Sequence, residues 1–216
     1  MSTTLLVVRH GQTDWNTADR FRGRTDLELN EVGLRQAQLV ARRIAAEYQP
    51  SAIYSSPLRR SLQTAGAIGS HCGLEPEADD GLLDLDYGEF AGLSRDEAAA
   101  RYPDLYRTWT QAPHAVRFPK GESLEVVRAR VAELAVRLAA RYDARQVVLV
   151  SHVVVIRTLL CSLLGLPTGR IESFRIDPCS LTVVETRGAR AELIMTNSAY
   201  HLAMPEPAAV QEQRER

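Results

Sequence analysis

Two short apolar runs, each closing on a histidine, constrain this chain more than any other feature. Residues 4–8 read TLLVV and lead into Arg9-His10-Gly11, and residues 146–150 read QVVLV and lead into Ser151-His152. Runs of this length, rich in β-branched residues and without polar alternation, are the pattern of strands covered on both faces. The segments between them read as helices. Asn30 is placed to cap a helix with Gly33 one turn in and with Leu34, Ala37, Ala41, Ile44 and Tyr48 on one face, ending before Pro50. Residues 52–54 form a second short strand, and Pro57 occupies the first turn of the helix that follows. After Gly121-Glu122-Ser123, the positions Leu124, Val127, Val131, Leu134 and Leu138 predict a long helix to about Tyr142. Residues 153–164 form another, stopped by Gly165 and Pro167, and two late strands fall at 181–185 and 192–195.

This alternation predicts an α/β fold of three layers, α/β/α, around a mostly parallel central sheet. The domain spans residues 1–204, and the polar stretch 205–216 is a frayed tail. Residues 75–120 read as an irregular insertion with one helix near 94–102, broken by Pro103, Pro113 and Pro119. It lies over the strand ends, where a substrate-selecting wall belongs. Ligands of such sheets bind outside the carboxyl ends of the strands. Both histidine loops leave strands at that end, so His10 and His152 are expected to face each other.

Lys and Arg total 26 against 27 Asp and Glu, a formal charge of −1. That balance favours neither nucleic acid nor an acidic membrane surface. The first apolar run is too short for a signal peptide, and no stretch approaches a membrane span. Cys72, Cys161 and Cys179 form no C-x-x-C pair, which argues against a disulfide framework or zinc site and for packed thiols in the cytoplasm.

Arginine beside a strand-end histidine points to phosphate chemistry. A guanidinium is permanently charged and grips two oxygens at once. Arg9 adjoins His10, and Arg59 and Arg60 open a helix, whose N-terminal N–H groups also favour an anion. Nearby arginines hold an imidazole neutral, which is the nucleophilic form, and a backbone carbonyl at the other ring nitrogen would fix the tautomer.

The segments around these residues resemble, in order, the motifs of the histidine phosphatase superfamily, phosphoglycerate mutase-like branch. They are Leu6-Val7-Val8-Arg9-His10-Gly11-Gln12-Thr13-Asp14-Trp15-Asn16, Gly23-Arg24-Thr25-Asp26-Leu27 with Gly33, Ser55-Ser56-Pro57-Leu58-Arg59-Arg60-Ser61, Gly121-Glu122-Ser123 and Val150-Ser151-His152. The resemblance implies the mutase-like fold, a metal-independent reaction without cofactor, and His10 as the phosphorylated nucleophile. It places Arg9, Arg60, Asn16 and His152 on the phosphoryl group, with Gln12, Arg22, Gly23 and Glu122 close by. Arg60, not Arg59, aligns with the pocket arginine. The family's general acid is a glutamate four residues before a glycine; here that position is Asp84, before Gly88, with Asp86 and Glu89 as alternatives. Val153 stands where many relatives have glycine, keeping the backbone N–H while narrowing the wall.

The function implied is phosphomonoester hydrolysis of a small phosphorylated metabolite. Phosphoserine, phosphoglycerate esters, sugar phosphates and α-ribazole phosphate are the candidates. Several segments, among them Thr196-Asn197 and His201-Leu202, resemble metal-independent phosphoserine phosphatases, although Tyr87 replaces a histidine that those enzymes associate with phosphoserine. His114 and His201 are candidate rim residues. A mutase and a catalytically impaired phosphate-binding regulator are the rival readings, and a homodimer is the assembly such relatives often form.

Overall fold

The computed structural model describes residues 2–188 and 190–203. The expected tail, 205–216, and the domain boundary at 204 lie outside the described residues. Among the described residues thirteen elements follow in chain order: β1 Ser2–Arg9, α1 Asp14–Thr17, α2 Glu31–Glu47, β2 Pro50–Ser55, α3 Arg59–Cys72, β3 Glu77–Ala78, α4 Arg95–Arg101, α5 Pro103–Gln111, α6 Leu124–Arg141, β4 Arg145–Ser151, α7 Val153–Leu163, β5 Leu181–Arg187 and β6 Arg190–Ser198, with short 3-10 turns between.

The strands form one sheet in the order β3-β2-β4-β1-β5-β6. β3, β2, β4 and β1 run parallel, and β5 and β6 add antiparallel strands beside β1. The sheet is therefore mostly parallel, as the alternation of elements requires. Because side chains alternate across a strand, the two apolar runs feed both layers. Leu5, Val7, Val147 and Leu149 pack toward α6 and α7, whereas Leu6, Val8, Val148 and Val150 pack toward α2 and α3. These residues are almost fully removed from water, and each such side chain contributes roughly 1.5–3 kcal/mol of transfer free energy.

Four details differ from the sequence reading. Leu34 is 47% exposed; the buried line of α2 runs through Gly33, Ala37, Val40, Ala41 and Ile44 instead. The face is rotated because Gly33 lies against the Gln12 backbone, which turns Leu34 outward. Tyr48 caps the helix in an extended conformation and is not part of its face. Pro57 precedes α3, which starts only at Arg59: Leu58 is extended, and the Arg59 N–H is taken by Asp26 Oδ1 at 2.8 Å. Pro103 follows the end of α4 at Arg101, as expected, but it also starts α5 at its first position, where the missing N–H costs nothing.

The middle region is correspondingly less irregular than its composition suggests. It adds β3 to the sheet edge and packs Leu82, Leu85, Tyr87, Phe90 and Phe118 into the core beneath α6. As expected, Asn30 caps α2, its Oδ1 accepting the Gly33 N–H at 2.9 Å. Ser94 caps α4 by accepting from Glu97 N, and Glu97 answers with its own carboxylate on the Ser94 N–H.

Gly33 matters for the site as well as the helix. A Cβ there would stand 2.1 Å from the Gln12 carbonyl oxygen, and one at Gly11 would stand 2.6 Å from the Gly33 oxygen. The loop after β1 thus lies backbone-to-backbone on the first turn of α2. Gly33→Ala is expected to lower stability by about 1–3 kcal/mol through this overpacking, read from the midpoint of urea unfolding. An unchanged midpoint would show that the loop does not rest on α2.

Candidate active site

Strand pairing brings the two histidines together. β1 and β4 are parallel neighbours with Arg9 opposite Ser151, so the next residue of each strand occupies the same level. The His10 N–H donates to the Ser151 carbonyl at 3.0 Å, and His152 is the N-cap of α7. Their ring centroids are 5.1 Å apart with the planes 55° to one another, and both rings are buried.

His10 has a defined tautomer. Its Nδ1 lies 2.7 Å from the Gly11 carbonyl oxygen, which can only accept, so Nδ1 carries the hydrogen and Nε2 keeps its lone pair. Burial, followed by the charges of Arg60, Arg9 and Arg22, holds the ring well below the ordinary histidine pKa, outweighing the Gly11 hydrogen bond. His152 is oriented the other way. Arg60 Nε donates to its Nδ1 at 3.3 Å, so Nε2 bears the hydrogen and donates to Ser56 Oγ at 2.9 Å. Burial and the Arg60 charge lower its pKa too.

Arg60 is fully buried and connects three loops. Besides His152, it donates from Nη1 to the Thr25 carbonyl at 2.8 Å, and from Nη2 to the Gly23 carbonyl at 2.7 Å and Asp84 Oδ2 at 3.2 Å. A guanidinium has five N–H donors, and these contacts engage four of them. Arg59, one residue earlier, points outward to Asp26 and Glu28.

Asp84 lies between the cation and the second histidine. Its Oδ2 is 3.6 Å from His152 Nδ1, and its Oδ1 accepts the Leu85 N–H at 2.9 Å. Burial raises its pKa against the opposing pull of Arg60 and Arg22. Neither alternative acid is near the imidazoles. Asp86 accepts the Gly88 N–H within its own turn, and Glu89 pairs with Lys120 and Tyr102 on the surface.

The open donors belong to Arg9 and Arg22. Arg9 Nη1 donates to the Ile176 carbonyl at 2.7 Å and Arg22 Nη1 to the Trp15 carbonyl at 3.2 Å, while the Nε of each is buried without a partner. Among the described residues neither has a carboxylate within ion-pair distance. Burial, followed by the charge of Arg22, lowers the Arg9 pKa to about 10. Two uncompensated guanidiniums with unpaired buried N–H groups suit a dianion. The first-turn N–H groups of α7, that of Val153 included, add donors without intrahelical acceptors.

Other sequence candidates take different places. Asn16 spends its side-chain oxygen on Thr13, accepting from both N–H and Oγ1. Gln12 faces α2: its Oε1 accepts from Asn30 and its N–H donates to Gln36. Gly23 serves through its carbonyl on Arg60, at a positive φ of 49°. His114 is exposed and lies against Gly169. His201 is buried remote from the imidazoles, bonded to the Cys179 carbonyl at 3.0 Å and to Arg43 at 3.2 Å.

Sequence reasoning assigned no role to Thr64 or Arg130 and placed Glu122 near the phosphate without its partners. Thr64 Oγ1 accepts the Gly11 N–H and donates to the Arg60 carbonyl, linking nucleophile loop to α3. Arg130 donates to the Gly81 and Asp84 carbonyls, and Glu122 accepts the Asp86 N–H, so two residues of the α6 region hold the acid loop. Beside Asp84 opens a cavity of about 460 Å³ lined by Arg22, Tyr87, Trp109, Val153 and Arg157 among others. The step of three from Tyr106 to Trp109, after a helix-starting Pro103, was the available signal for its outer wall.

Residues 5–199 match the Histidine phosphatase superfamily (branch 1). The chain belongs to that family, and it is a phosphatase. It is 35% identical over 198 residues to Phosphoserine phosphatase 1 of Hydrogenobacter thermophilus, covering 92% of this chain and 93% of that protein. It is 34% identical over 160 residues to the metal-independent phosphoserine phosphatase of Arabidopsis thaliana, covering 73% and 67%. Among solved structures, a mycobacterial glucosyl-3-phosphoglycerate phosphatase in complex with VO3 superimposes with a TM-score of 0.83 at 32% identity, over 90% of this chain and 98% of that one.

The two displaced pKa values set a pH profile. Lowering the His10 value leaves its ring unprotonated on the acid side of 6.5; raising that of Asp84 extends its protonated form above the ordinary aspartate range. The acid limb of kcat/KM for an alkyl phosphate is therefore expected below the usual histidine range, with an alkaline limb that disappears in Asp84→Asn. The same variant is expected to slow alkyl phosphates about 100-fold or more and p-nitrophenyl phosphate far less, since nitrophenolate leaves without a proton. Equal losses on both esters would remove Asp84 from the acid role.

Proposed function

We propose that the chain is a metal-independent phosphomonoesterase that carries the phosphoryl group of a small metabolite on His10. The observation that supports this most directly is the His10 tautomer: the Gly11 carbonyl holds the Nδ1 hydrogen, leaving the Nε2 lone pair free beside two uncompensated arginines. In the first step Nε2 attacks phosphorus as the ester P–O bond breaks, and the Asp84 proton passes to the departing alkoxide oxygen. Arg9, Arg22 and the α7 N-terminus balance the charge on the non-bridging oxygens, while Arg60 and His152 fix the geometry. In the second step water attacks the phosphohistidine and yields its proton to the Asp84 carboxylate. The N–P bond breaks, and neutral His10 and inorganic phosphate are restored.

Metal independence is supported by the metal-independent relative and by a site built from guanidinium and imidazole groups. Among the described residues no cluster of His, Cys, Asp or Glu is arranged to hold a metal ion, and no helix is long and apolar enough to cross a membrane. The three thiols are free, as suits the cytoplasm. The similar proteins named phosphoserine and glucosyl-3-phosphoglycerate phosphatases support a small phosphorylated metabolite as substrate.

Brief incubation with a ³²P-labelled phosphomonoester, followed by alkaline quench, is expected to leave acid-labile, base-stable label on the wild-type chain and none on His10→Ala. Turnover is expected to persist in excess chelator. Normal labelling of His10→Ala would overturn the nucleophile assignment, and loss of activity with chelator would overturn metal independence.

A further inference from the structure

The site described so far accounts for the phosphoryl group and leaves most of the adjoining cavity unassigned. At about 460 Å³, that cavity falls in the range of roughly 300–1,000 Å³ that encloses drug-sized ligands. It is larger than a three-carbon alcohol requires. Its apolar surface is largely aromatic, from Phe21, Tyr87, Tyr106 and Trp109, with Val153 and Val154 beside them. Helix α5 has no fully buried residue, so Tyr106 and Trp109 keep ring surface toward the cavity. The Tyr87 ring is held edge-on by Phe21, Trp109 and Phe118, and among the described residues its hydroxyl has no hydrogen-bond partner.

Charge decides what these rings can accompany. Three carboxylates line the cavity, and each is already paired with an arginine: Asp84 with Arg60 at 3.2 Å, Glu172 with Arg157 at 2.8 Å, and Asp19 with Arg95 at 2.6 Å. The ammonium group of an amino acid would meet arginines and no unpaired carboxylate. A hydroxylated ring meets complementary groups. Its C–H face matches an aromatic wall, and its hydroxyls can both donate and accept at the Arg157–Glu172 pair and at Tyr87.

From this arrangement we infer that the alcohol released is a hydroxylated ring of the sugar class, seated against Trp109, and not an amino acid. The inference rests on the phosphatase reading and specifies the substrate class of that same site. It also gives Tyr87 a role as a hydroxyl partner for the ring.

The test compares kcat/KM for glucose 6-phosphate and ribose 5-phosphate with that for O-phospho-L-serine, on wild type, Trp109→Ala and Trp109→Phe. The better ring ester is expected to exceed phosphoserine by about ten-fold or more, and Trp109→Ala to reduce that ester about ten-fold, chiefly through KM. Trp109→Phe, which keeps a ring, is expected to restore most of the loss, with phosphoserine nearly unchanged throughout. Phosphoserine turned over as well as both ring esters, or equal losses on both classes in Trp109→Ala, would overturn the inference. If neither class turns over, the phosphatase reading fails, and calorimetric binding to His10→Ala still decides the ligand class. Tighter binding of a ring ester would support it, and equal or tighter binding of phosphoserine would overturn it.

Discussion

The buried guanidinium of Arg60 is the interaction on which the site depends. A cation without solvent contact is tolerated only when its donors are satisfied and its charge is countered. Here Thr25 and Gly23 supply carbonyls, Asp84 supplies the charge and His152 a ring nitrogen. These partners come from three separate loops, so satisfying one side chain fixes their mutual position. Lysine could not do the same, because a single ammonium lacks the planar fork that reaches several acceptors in different directions. The loops in turn are held from behind by Thr64, Arg130 and Glu122.

Division of labour among the arginines follows from this. Arg60 is occupied by the protein, whereas among the described residues Arg9 and Arg22 each keep a buried unpaired Nε and no carboxylate partner. Positive charge that the fold leaves uncompensated suits an incoming dianion, and it lowers the pKa of both imidazoles. Desolvation acts on the two kinds of group in opposite senses: it lowers the pKa of histidine and raises that of aspartate. One buried pocket thereby holds an unprotonated imidazole beside a carboxyl group whose pKa is raised.

The sheet was legible because a covered strand has an unmistakable composition, and the apolar runs before His10 and His152 have it. The meeting of those histidines followed from parallel pairing, since residues after equivalent strand ends share a level. Asn30 as a helix cap was legible for the same local reason. Leu34 was misplaced because a helix face is set by what lies across from it, here the Gln12 backbone, which periodicity does not record. Pro103 was ambiguous, since proline both ends and starts helices. The partners of Arg60 were hidden more deeply: backbone carbonyls at Gly23 and Thr25 have no side-chain signature. The cavity wall at Tyr106 and Trp109 was obscured by the same misreading of Pro103.

The order of strands has a consequence for biosynthesis. β1 lies between β4 and β5, pairing Thr3 with Arg145 on one side and Thr186 on the other, while Arg9 also anchors to Ile176. β1 thus waits for β4 and β5, which lie far along the chain, before either of its edges is covered. An apolar strand with two open edges is the kind of surface that chaperones bind and that aggregates nucleate on. His10 likewise gains its arginine-lined surroundings only once β4 and the segment carrying Ile176 have folded onto β1.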